Sequence, residues 1–495
     1  MELNWITSRA RLTPNKTAII DVTNDTSLAY CDIDNRSDRW LTFFEERNIG
    51  RGDRVAILAK NQIEVFEIMF ACGKMGAIFV PLNWRLSHEE LNYIIEDCNP
   101  KILLYNQRFS DTVNHLKKVS DAIPLDYPIL IKPKKQDITC ISESDPWLII
   151  YTGGTTGKPK GVVLTHRAIM WNAINTIISW GLTDDEVTLN YLPLFHTGGI
   201  NALSIPILMS GGTVVLGDQF DAKEAVHFLN KYKCTIALFV PTMYHLMVGT
   251  KEFKASLFPS MRTFLSGAAP CPLSIYESFQ EKGIPFKEGY GLTEAGPNNF
   301  YISPQDAIWK KGSVGKPMMF NQIKLLKMDG TEAEVDEVGE ILIKGKHSFQ
   351  EYWNDQQETK SVWKDGWLYS GDLGRKDQDG YYYIVGRKKD MIITGGENVY
   401  PLEIEHWLCQ YPEVEEACVI GLEDEKWGEQ VTAFIVLKSG DSGIVEELKK
   451  HCTYKLAKYK IPKQFVFLKE LPKTHVGKID KKLLKKQYES NLENA

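Results

Sequence analysis

The sequence predicts an α/β protein with a large N-terminal domain of mostly parallel α/β subdomains, a small β-barrel-like region and a small α+β C-terminal domain. Apolar strand patterns alternate with helical patterns in the first 300 residues, as in parallel sheets. Short strands split by Asp-Gly turns follow over about 310–388. Pro401 then opens a helix, as proline often does, and begins a unit of ordinary domain size. We therefore expect domains at 1–388 and 389–495.

Composition excludes several classes of protein. The chain has 495 residues and a formal net charge of −6, which gives no support to a nucleic-acid partner. Its nine cysteines are scattered without a CxxC pair, so no zinc or redox motif is indicated and a reducing, cytoplasmic location is expected. The most apolar run, 66–82, is interrupted by Lys74 and two glycines. It predicts a buried helix and strand instead of a transmembrane segment.

The first third predicts strands and helices in alternation. Ser87 and Glu90 form a capping-box pattern, so they predict the start of a helix that ends at residue 98. The other predicted elements here are a helix over 63–76 and strands over 54–60, 77–82 and 101–105.

The stretches 207–217, 234–241 and 263–270 are each expected to carry a strand that ends near glycine or proline. Ligands of open α/β sheets lie beyond the carboxyl ends of strands, so the loops after these strands are candidates for a site.

The stretch YTGGTTGKPKG (151–161) has the composition of a phosphate-binding loop. Glycines let backbone N–H groups approach an anion closely, and the threonines and Lys160 add donors and charge. A Walker A loop is excluded because Thr152 replaces its first glycine, Pro159 replaces its Ser or Thr, and a strand follows. A surface hairpin with no ligand is the alternative.

This loop closely resembles the signature of the adenylate-forming superfamily, Tyr-Thr-Ser-Gly-Thr-Thr-Gly-x-Pro-Lys-Gly. Further family motifs occur in the expected order, so the resemblance covers essentially the whole chain. They are LPLFHTGG (192–199), LSGAAP (265–270), GYGLTEAG (289–296), YSGDLG (369–374), GRKKDMIITGGENVYPLEIE (386–405), YKIPK (459–463) and PKTHVGKID (472–480).

The resemblance implies a mobile C-terminal domain and a two-step reaction that uses ATP, Mg²⁺ and coenzyme A. A carboxylate attacks the α-phosphate to give an acyl-adenylate and pyrophosphate, and a thiol then attacks the activated carbonyl. The chain is therefore expected to be an ATP-dependent acid–CoA ligase. A catalytically silent binding protein is the rival hypothesis, and the presence of Lys478 and Glu294 argues against it.

Catalytic roles carry over by position from the family motifs. Lys478 would reach the carboxylate and the α-phosphate, and Thr293 would touch the α-phosphate. Glu294 would hold Mg²⁺, with Thr152 as a second metal ligand, and His196 would border the acyl carboxylate. The simpler readings are a solvated lysine in a lysine-rich tail, a surface glutamate in a turn and a core histidine.

Cofactor-binding roles carry over in the same way. Tyr290 would lie against adenine, Asp372 would accept hydrogen bonds from the ribose hydroxyls, and Arg387 would bind ribose or phosphates. Lys389 matches the family's hinge. The remaining positions form the phosphate loop, the adenine loops and the pantetheine turn: Thr152, Gly153, Gly154, Thr155, Thr156, Gly157, Lys160, Gly267, Ala268, Ala269, Gly291, Gly395 and Gly396.

Two features predict the chemical class of the acid substrate. No acidic residue stands where a substrate ammonium group would need one, and the residues expected to line the pocket are apolar. Amino-acid-activating relatives carry an aspartate where His196 stands, so an amino acid is disfavoured. Apolar residues in 239–247 suit an alkyl chain, and the motif wording looks most like bacterial fatty-acyl-CoA synthetases. A fatty acid is expected, with an aryl acid of coumarate or succinylbenzoate type as the alternative.

Three further expectations concern details. Gly153 stands where the family usually has serine, which predicts a modest rise in the KM for ATP. The lysine-rich C-terminal tail suggests weak peripheral contact with anionic lipid. The sequence leaves the oligomeric state open, with a homodimer among the options.

Overall fold

The computed structural model describes residues 3–119, 121–126, 132, 141–153, 158–438, 443–473 and 479–493. Up to residue 165, its helices and strands are α1 (Trp5–Leu12), β1 (Thr17–Asp21), β2 (Thr26–Ala29), α2 (Tyr30–Glu45), β3 (Arg54–Leu58), α3 (Ile63–Met75), β4 (Ile78–Pro81), α4 (His88–Cys98), β5 (Ile102–Tyr105), α5 (Ser110–Asn114), β6 (Ala122–Pro124), β7 (Pro146–Gly153) and β8 (Pro159–Thr165).

The middle of the chain continues the alternation of helices and strands. Its elements are α6 (His166–Trp180), β9 (Val187–Asn190), α7 (Ser204–Ser210), β10 (Thr213–Leu216), α8 (Ala222–Lys231), β11 (Ile236–Phe239), α9 (Pro241–Val248), α10 (Lys251–Ala255), β12 (Thr263–Ser266), α11 (Leu273–Glu281), β13 (Phe286–Glu288), β14 (Phe300–Tyr301) and α12 (Pro304–Trp309).

The last part is richer in strands. Its elements are β15 (Ser313–Pro317), β16 (Gln322–Leu326), β17 (Gly339–Lys344), β18 (Glu351–Tyr352), α13 (Gln356–Val362), β19 (Trp363–Lys364), β20 (Trp367–Lys376), β21 (Tyr382–Arg387), β22 (Ile392–Thr394), β23 (Glu397–Val399), α14 (Pro401–Leu408), β24 (Val414–Asp424), β25 (Gly428–Leu437), α15 (Val445–Lys455), β26 (Gln464–Phe467) and α16 (Lys481–Glu493).

Local signals fix three helix ends, of which those at Ser87 and Gly76 lie where the sequence predicts them. The Ser87 hydroxyl accepts from the Glu90 N–H at 3.3 Å, and Glu90 Oε2 accepts from the Ser87 N–H at 2.9 Å, which completes the capping box. Gly76 ends α3 in the left-handed region at φ +77°. Thr165 caps α6 by accepting from the Ala168 N–H at 3.1 Å. These ends were predictable because each depends on residues close in sequence.

The stretch 207–217 carries a strand that ends before Gly217, as predicted, but the strand occupies only its second half. Residues up to Ser210 belong to helix α7, Gly211 ends this helix at φ +99°, and only β10 is a strand. The segment before Gly211 is a short, almost wholly buried apolar run. Periodicity does not separate a helix from a strand in such a run, so the sequence did not define where the strand begins.

Two mostly parallel sheets form the first part of the protein. The order in one is β13-β12-β11-β9-β10-β1-β2, antiparallel only between β1 and β2. The order in the other is β18-β8-β7-β4-β3-β5-β6, in which β7, β8 and β18 pair antiparallel. The carboxyl ends of β11, β12 and β13 lie side by side, so the loops after them meet at one edge.

An antiparallel sheet has the order β14-β15-β21-β20-β17-β16, with β19 on β20. It differs in two ways from the β region expected over 310–388. Strand β14 joins it from residue 300, and β18 leaves it to pair with β8, so Tyr352 lies opposite Val162. The α/β fold class and its curled antiparallel region are confirmed.

The C-terminal sheet has the order β23-β22-β25-β24, and β26 pairs parallel with β25. It begins after β21 ends at Arg387, so the expected boundary at residue 388 falls between two sheets. The division into two domains stays a prediction. None of the described helices combines the length and the apolar character needed to cross a membrane.

We predict that His166 makes stability fall with acid. Its ring stacks on Trp147 at 4.7 Å, is 1% exposed and has no hydrogen-bond partner among the described residues. Burial lowers the His166 pKa to about 4, so between that pH and about 6.5 the unfolded chain binds a proton that the folded chain does not. Lowering the pH from 7.5 to 5.5 therefore costs the folded state about 1 kcal/mol at this residue.

His166→Phe keeps the ring stack and removes the proton, so its urea-unfolding midpoint should fall less between pH 7.5 and 5.5 than that of the native protein. His227→Phe, at an exposed position on α8, is the matched control and should behave like the native protein. An equal acid shift in His166→Phe would contradict the assignment.

Candidate active site

Tyr290, Asp372 and Arg387 meet where the parallel and antiparallel sheets join. The Tyr290 hydroxyl donates to Asp372 Oδ2 at 2.7 Å, and Arg387 Nε lies 2.9 Å from Asp372 Oδ1. Burial and the Asp372 charge raise the pKa of Tyr290, so its hydroxyl stays protonated and remains a donor. The Asp372 side chain is buried, whereas that of Arg387 is half exposed. The three predicted ribose and adenine residues therefore form one connected corner.

Glu294 lies on the same loop as Tyr290, in a short 3₁₀ helix over Thr293–Ala295. Tyr352 donates its hydroxyl to Glu294 Oε1 at 2.8 Å. Burial raises the pKa of Glu294, and the Tyr352 hydroxyl opposes that rise. Because β18 pairs with β8, the later segment that carries Tyr352 is brought beside the predicted phosphate loop.

Lys160 lies in the β7–β8 hairpin, opposite Thr152 in the strand register. Its ammonium pairs with Glu358 on α13 and lies 5.4 Å from the centre of the Tyr352 ring. Lys160, Tyr352 and Glu294 are thus neighbours, and the Glu358 carboxylate already forms an ion pair with the Lys160 ammonium. The predicted role of Lys160 in phosphate binding would require a triphosphate to compete with Glu358 for its ammonium.

The loop that follows β12 carries Gly267, Ala268 and Ala269. Ala268 adopts the left-handed region at φ +70°, which is uncommon for alanine. The loop is held by Glu288 at the end of β13, since Glu288 Oε1 accepts from the Cys271 N–H at 2.8 Å. Burial raises the pKa of Glu288 to about 7. Sequence reasoning did not identify this anchor.

The structure also fixes the surroundings of two other predicted sites. His196 begins a tight turn into a π-helical segment over Gly198–Ala202, and its ring contacts the Phe195 ring at 4.5 Å. Gly395 and Gly396 form the β22–β23 turn with φ of +60° and +85°. A two-residue hairpin turn of this type requires positive φ at both positions, so glycine suits both.

Five predicted residues lie outside the described residues: Gly154, Thr155, Thr156, Gly157 and Lys478. Their roles stay predictions. Conversely, Tyr352 and Glu358 contact predicted site residues but were not identified from the sequence. Their only local signal is the segment EYWNDQQE (351–358), which carries no spacing rule that would point to Glu294 or Lys160.

The described residues fit the groups that the chemistry requires. Mg²⁺ prefers oxygen ligands and takes few of them from protein, so the Glu294 carboxylate with substrate phosphates suits it. No cluster of three or more His, Cys, Asp or Glu residues that could hold a metal occurs in the part of the chain that the structure describes. Asp372 and Arg387 provide an acceptor and a fixed cationic donor for a nucleotide.

The fold and this site define a class of enzyme that uses a nucleotide to activate an acid. Comparison with known families places the chain more closely. Residues 6–353 match the model of the AMP-binding enzyme family, and residues 403–478 match the model of the AMP-binding enzyme C-terminal domain. The chain belongs to the AMP-binding enzyme family.

Relatives of known activity align along nearly the whole chain. Indoleacetate–CoA ligase of Aromatoleum aromaticum is 36% identical over 499 residues, covering 97% of each chain. A long-chain-fatty-acid–CoA ligase of Mycobacterium tuberculosis is 32% identical over 505 residues, covering 99% of each.

Solved structures agree with this assignment. O-succinylbenzoate coenzyme A synthetase from Bacillus subtilis, in complex with ATP and a magnesium ion, superposes with a TM-score of 0.87 at 33% identity. The match covers 98% of this chain and 99% of that one. The predicted class, an AMP-forming acid–CoA ligase that uses ATP and Mg²⁺, is confirmed.

We predict that Gly153→Ser lowers the KM for ATP about two- to tenfold, because a hydroxyl donor adds one hydrogen bond to phosphate. Gly153 is exposed, has no positive φ, and a Cβ built on it would meet nothing within 4 Å. Serine therefore fits without strain. Gly153→Ala is the matched control, and steady-state ATP titration should leave its KM unchanged. Equal KM values for the serine and alanine variants would show that the hydroxyl has no role.

We also predict that Tyr352→Phe lowers kcat/KM for adenylation about tenfold, because it removes a hydrogen bond to a charged carboxylate. ATP–pyrophosphate exchange at several Mg²⁺ concentrations measures this loss. Tyr105→Phe, on β5 of the same sheet, is the control and should leave the rate unchanged. Normal exchange by Tyr352→Phe would mean that this hydroxyl does not orient Glu294.

Proposed function

We propose that the protein joins an acid that carries an aromatic ring to coenzyme A. It first forms the acyl-adenylate from ATP with release of pyrophosphate, and then transfers the acyl group to the thiol. The observation that carries the choice of acid is the closed aromatic layer beside the loops after β11, β12 and β13.

That layer consists of buried rings on the helices and strands behind the site. Phe239 and Tyr244 are 5.5 Å apart, Tyr244 and Phe286 are 5.1 Å apart, and Phe264 and Phe279 are 4.9 Å apart. Each of these five rings is 6% exposed or less. A long alkyl chain that ran into this layer would have to displace them, and closely packed cores resist such displacement.

A flat ring has a place to lie at the edge of the same layer. Gly267 and Gly289, at the ends of β12 and β13, expose backbone there in place of side chains. A Cβ added at Gly267 would meet Leu238, and one added at Gly289 would meet Leu265, so the surroundings of both glycines are apolar. Aromatic rings favour such apolar contacts. The indoleacetate relative, at 36% identity, supports an aromatic acid.

A fatty acid is the second candidate. On α9, Leu246 is 59% exposed and Met243 is half-buried, which leaves apolar surface next to the site that an alkyl chain could cover. The 32% identity to a long-chain-fatty-acid ligase supports this alternative. An amino acid stays disfavoured because His196 stands where the ammonium group would need an aspartate.

The proposed roles follow from the repulsion between two anionic substrates. Lys160, Arg387 and Lys478 offset the negative charge of ATP and of the acid, which lowers the barrier to their approach. Glu294 and Thr152 hold Mg²⁺, which neutralises phosphate charge when bound. Thr293 binds the α-phosphate and Asp372 binds the ribose hydroxyls.

The second half-reaction assigns further roles. His196 borders the acyl carboxylate, Lys389 is the hinge of the C-terminal domain, and Gly395 and Gly396 present backbone to the pantetheine arm. Cytoplasmic location, weak lipid contact and a homodimer stay predictions.

We predict that arylacetic and hydroxycinnamic acids give kcat/KM values at least about tenfold above those of fatty acids of twelve or more carbons, since a pocket discriminates by shape at this level. ATP–pyrophosphate exchange across a panel of aryl, fatty and amino acids measures the first step. Detection of the CoA thioester measures the second. A preference for long fatty acids would replace the first candidate by the second, and exchange with amino acids only would overturn both.

A further inference from the structure

Glu340 binds two separate segments of the candidate site with its two carboxylate oxygens. It lies near the start of β17 and is 6% exposed. Its Oε1 accepts from the Gly371 N–H at 3.1 Å, and its Oε2 lies 2.8 Å from the Lys388 ammonium. Neither of these contacts involves residues near in sequence, so the carboxylate connects β17 to two later parts of the chain.

The first contact, to the Gly371 N–H, supplies a hydrogen-bond acceptor at an irregular point of β20. In the β17–β20 pairing, Glu340 lies opposite Leu373 but Leu342 lies opposite Tyr369, so β20 carries extra residues between these pairs. Gly371, within that bulge, has φ of +71°. Bulges leave backbone groups without ladder partners and occur beside active sites, where they redirect a side chain. Glu340 supplies the partner that the Gly371 N–H would otherwise lack.

The two residues that Glu340 contacts are sequence neighbours of Asp372 and Arg387, the residues of the predicted ribose site. Gly371 directly precedes Asp372, and Lys388 directly follows Arg387. Asp372 and Arg387 themselves lie opposite each other in the β20–β21 register. The buried Glu340 carboxylate therefore holds the backbone just before Asp372, the acceptor, and the side chain just after Arg387, the donor.

We propose that Glu340 is a positioning residue that holds Asp372 and Arg387 in the geometry that binds the ribose hydroxyls of ATP. This inference rests on the proposed function, in which Asp372 accepts from those hydroxyls. Glu340 does not touch the nucleotide. Its effect passes through the bulge at Gly371 and through Lys388.

The test compares ATP with 2′,3′-dideoxy-ATP, which lacks the hydroxyls that Asp372 would bind. Glu340→Ala leaves the Gly371 N–H and the Lys388 ammonium without their partner, so the Kd for ATP should rise about tenfold. The Kd for dideoxy-ATP should rise clearly less, by about threefold at most, because it makes no ribose contact that depends on Asp372 and loses only the contribution of Arg387 at the phosphates. Isothermal titration calorimetry on the full-length protein measures both without requiring turnover.

Two more variants separate the two ends of the contact. Glu340→Gln keeps an acceptor for Gly371 but loses the charge, and Lys388→Met removes only the ion pair. Each should raise the Kd for ATP about threefold, since the remaining contact is kept. Lys310→Met is the matched control, because it breaks the Lys310–Asp377 pair elsewhere in the same part of the protein. It should leave both Kd values unchanged.

The outcomes distinguish failure of this inference from failure of the proposed function. Asp372→Asn should weaken ATP binding but spare dideoxy-ATP. If it does not, the ribose role of Asp372 is wrong and the proposed site fails. If it does, but Glu340→Ala binds ATP normally or weakens both nucleotides equally, Glu340 has no positioning role or only a structural one. Should Glu340→Ala not fold, the isosteric Glu340→Gln provides the same comparison.

Discussion

The hydrogen bond from Tyr290 to Asp372 joins two sheets that share no strand, and the candidate site exists only where they meet. Tyr290 follows the last strand of a parallel sheet, whereas Asp372 lies on a bulged antiparallel strand. A parallel sheet offers loops at its carboxyl edge, and the antiparallel sheet places an acidic acceptor and a cation opposite them. In the proposed function, ATP binds where the two sheets join.

The site balances its own charges before any substrate binds. Arg387 pairs with Asp372, and Lys160 pairs with Glu358. Half-buried cations without partners would be costly, so these internal carboxylates stabilise the free protein. In the proposed function, phosphate and ribose would take over these contacts when ATP binds. Part of the binding energy of ATP would then go into replacing internal partners, which favours ligands that offer more oxygens.

The sequence predicted what depends on neighbouring residues and missed what depends on distant ones. The capping box of Ser87 and the glycine cap at Gly76 involve three or four residues, so their geometry was predictable. The family motifs located Glu294 and Asp372. Tyr352, Glu358 and Glu340 escaped because each is an ordinary residue until pairing of β18 with β8, or a bulge in β20, brings it to its partner. Helix α7 was not recognised because burial on all sides removes the periodic signal.

Three consecutive residues at the end of β21 connect nucleotide binding to the start of the C-terminal sheet. Arg387 pairs with Asp372, Lys388 pairs with Glu340, and Lys389 holds the predicted hinge position. A hinge works only if the chain on one side of it is held firmly while the other side turns. Two ion pairs immediately before Lys389, both to strands of the antiparallel sheet, provide that hold. In the proposed function, Asp372 binds the ribose, so nucleotide binding and rigidity before the hinge depend on the same contacts. Coupling between the two half-reactions then needs no long-range pathway, since Arg387 lies only two positions before Lys389.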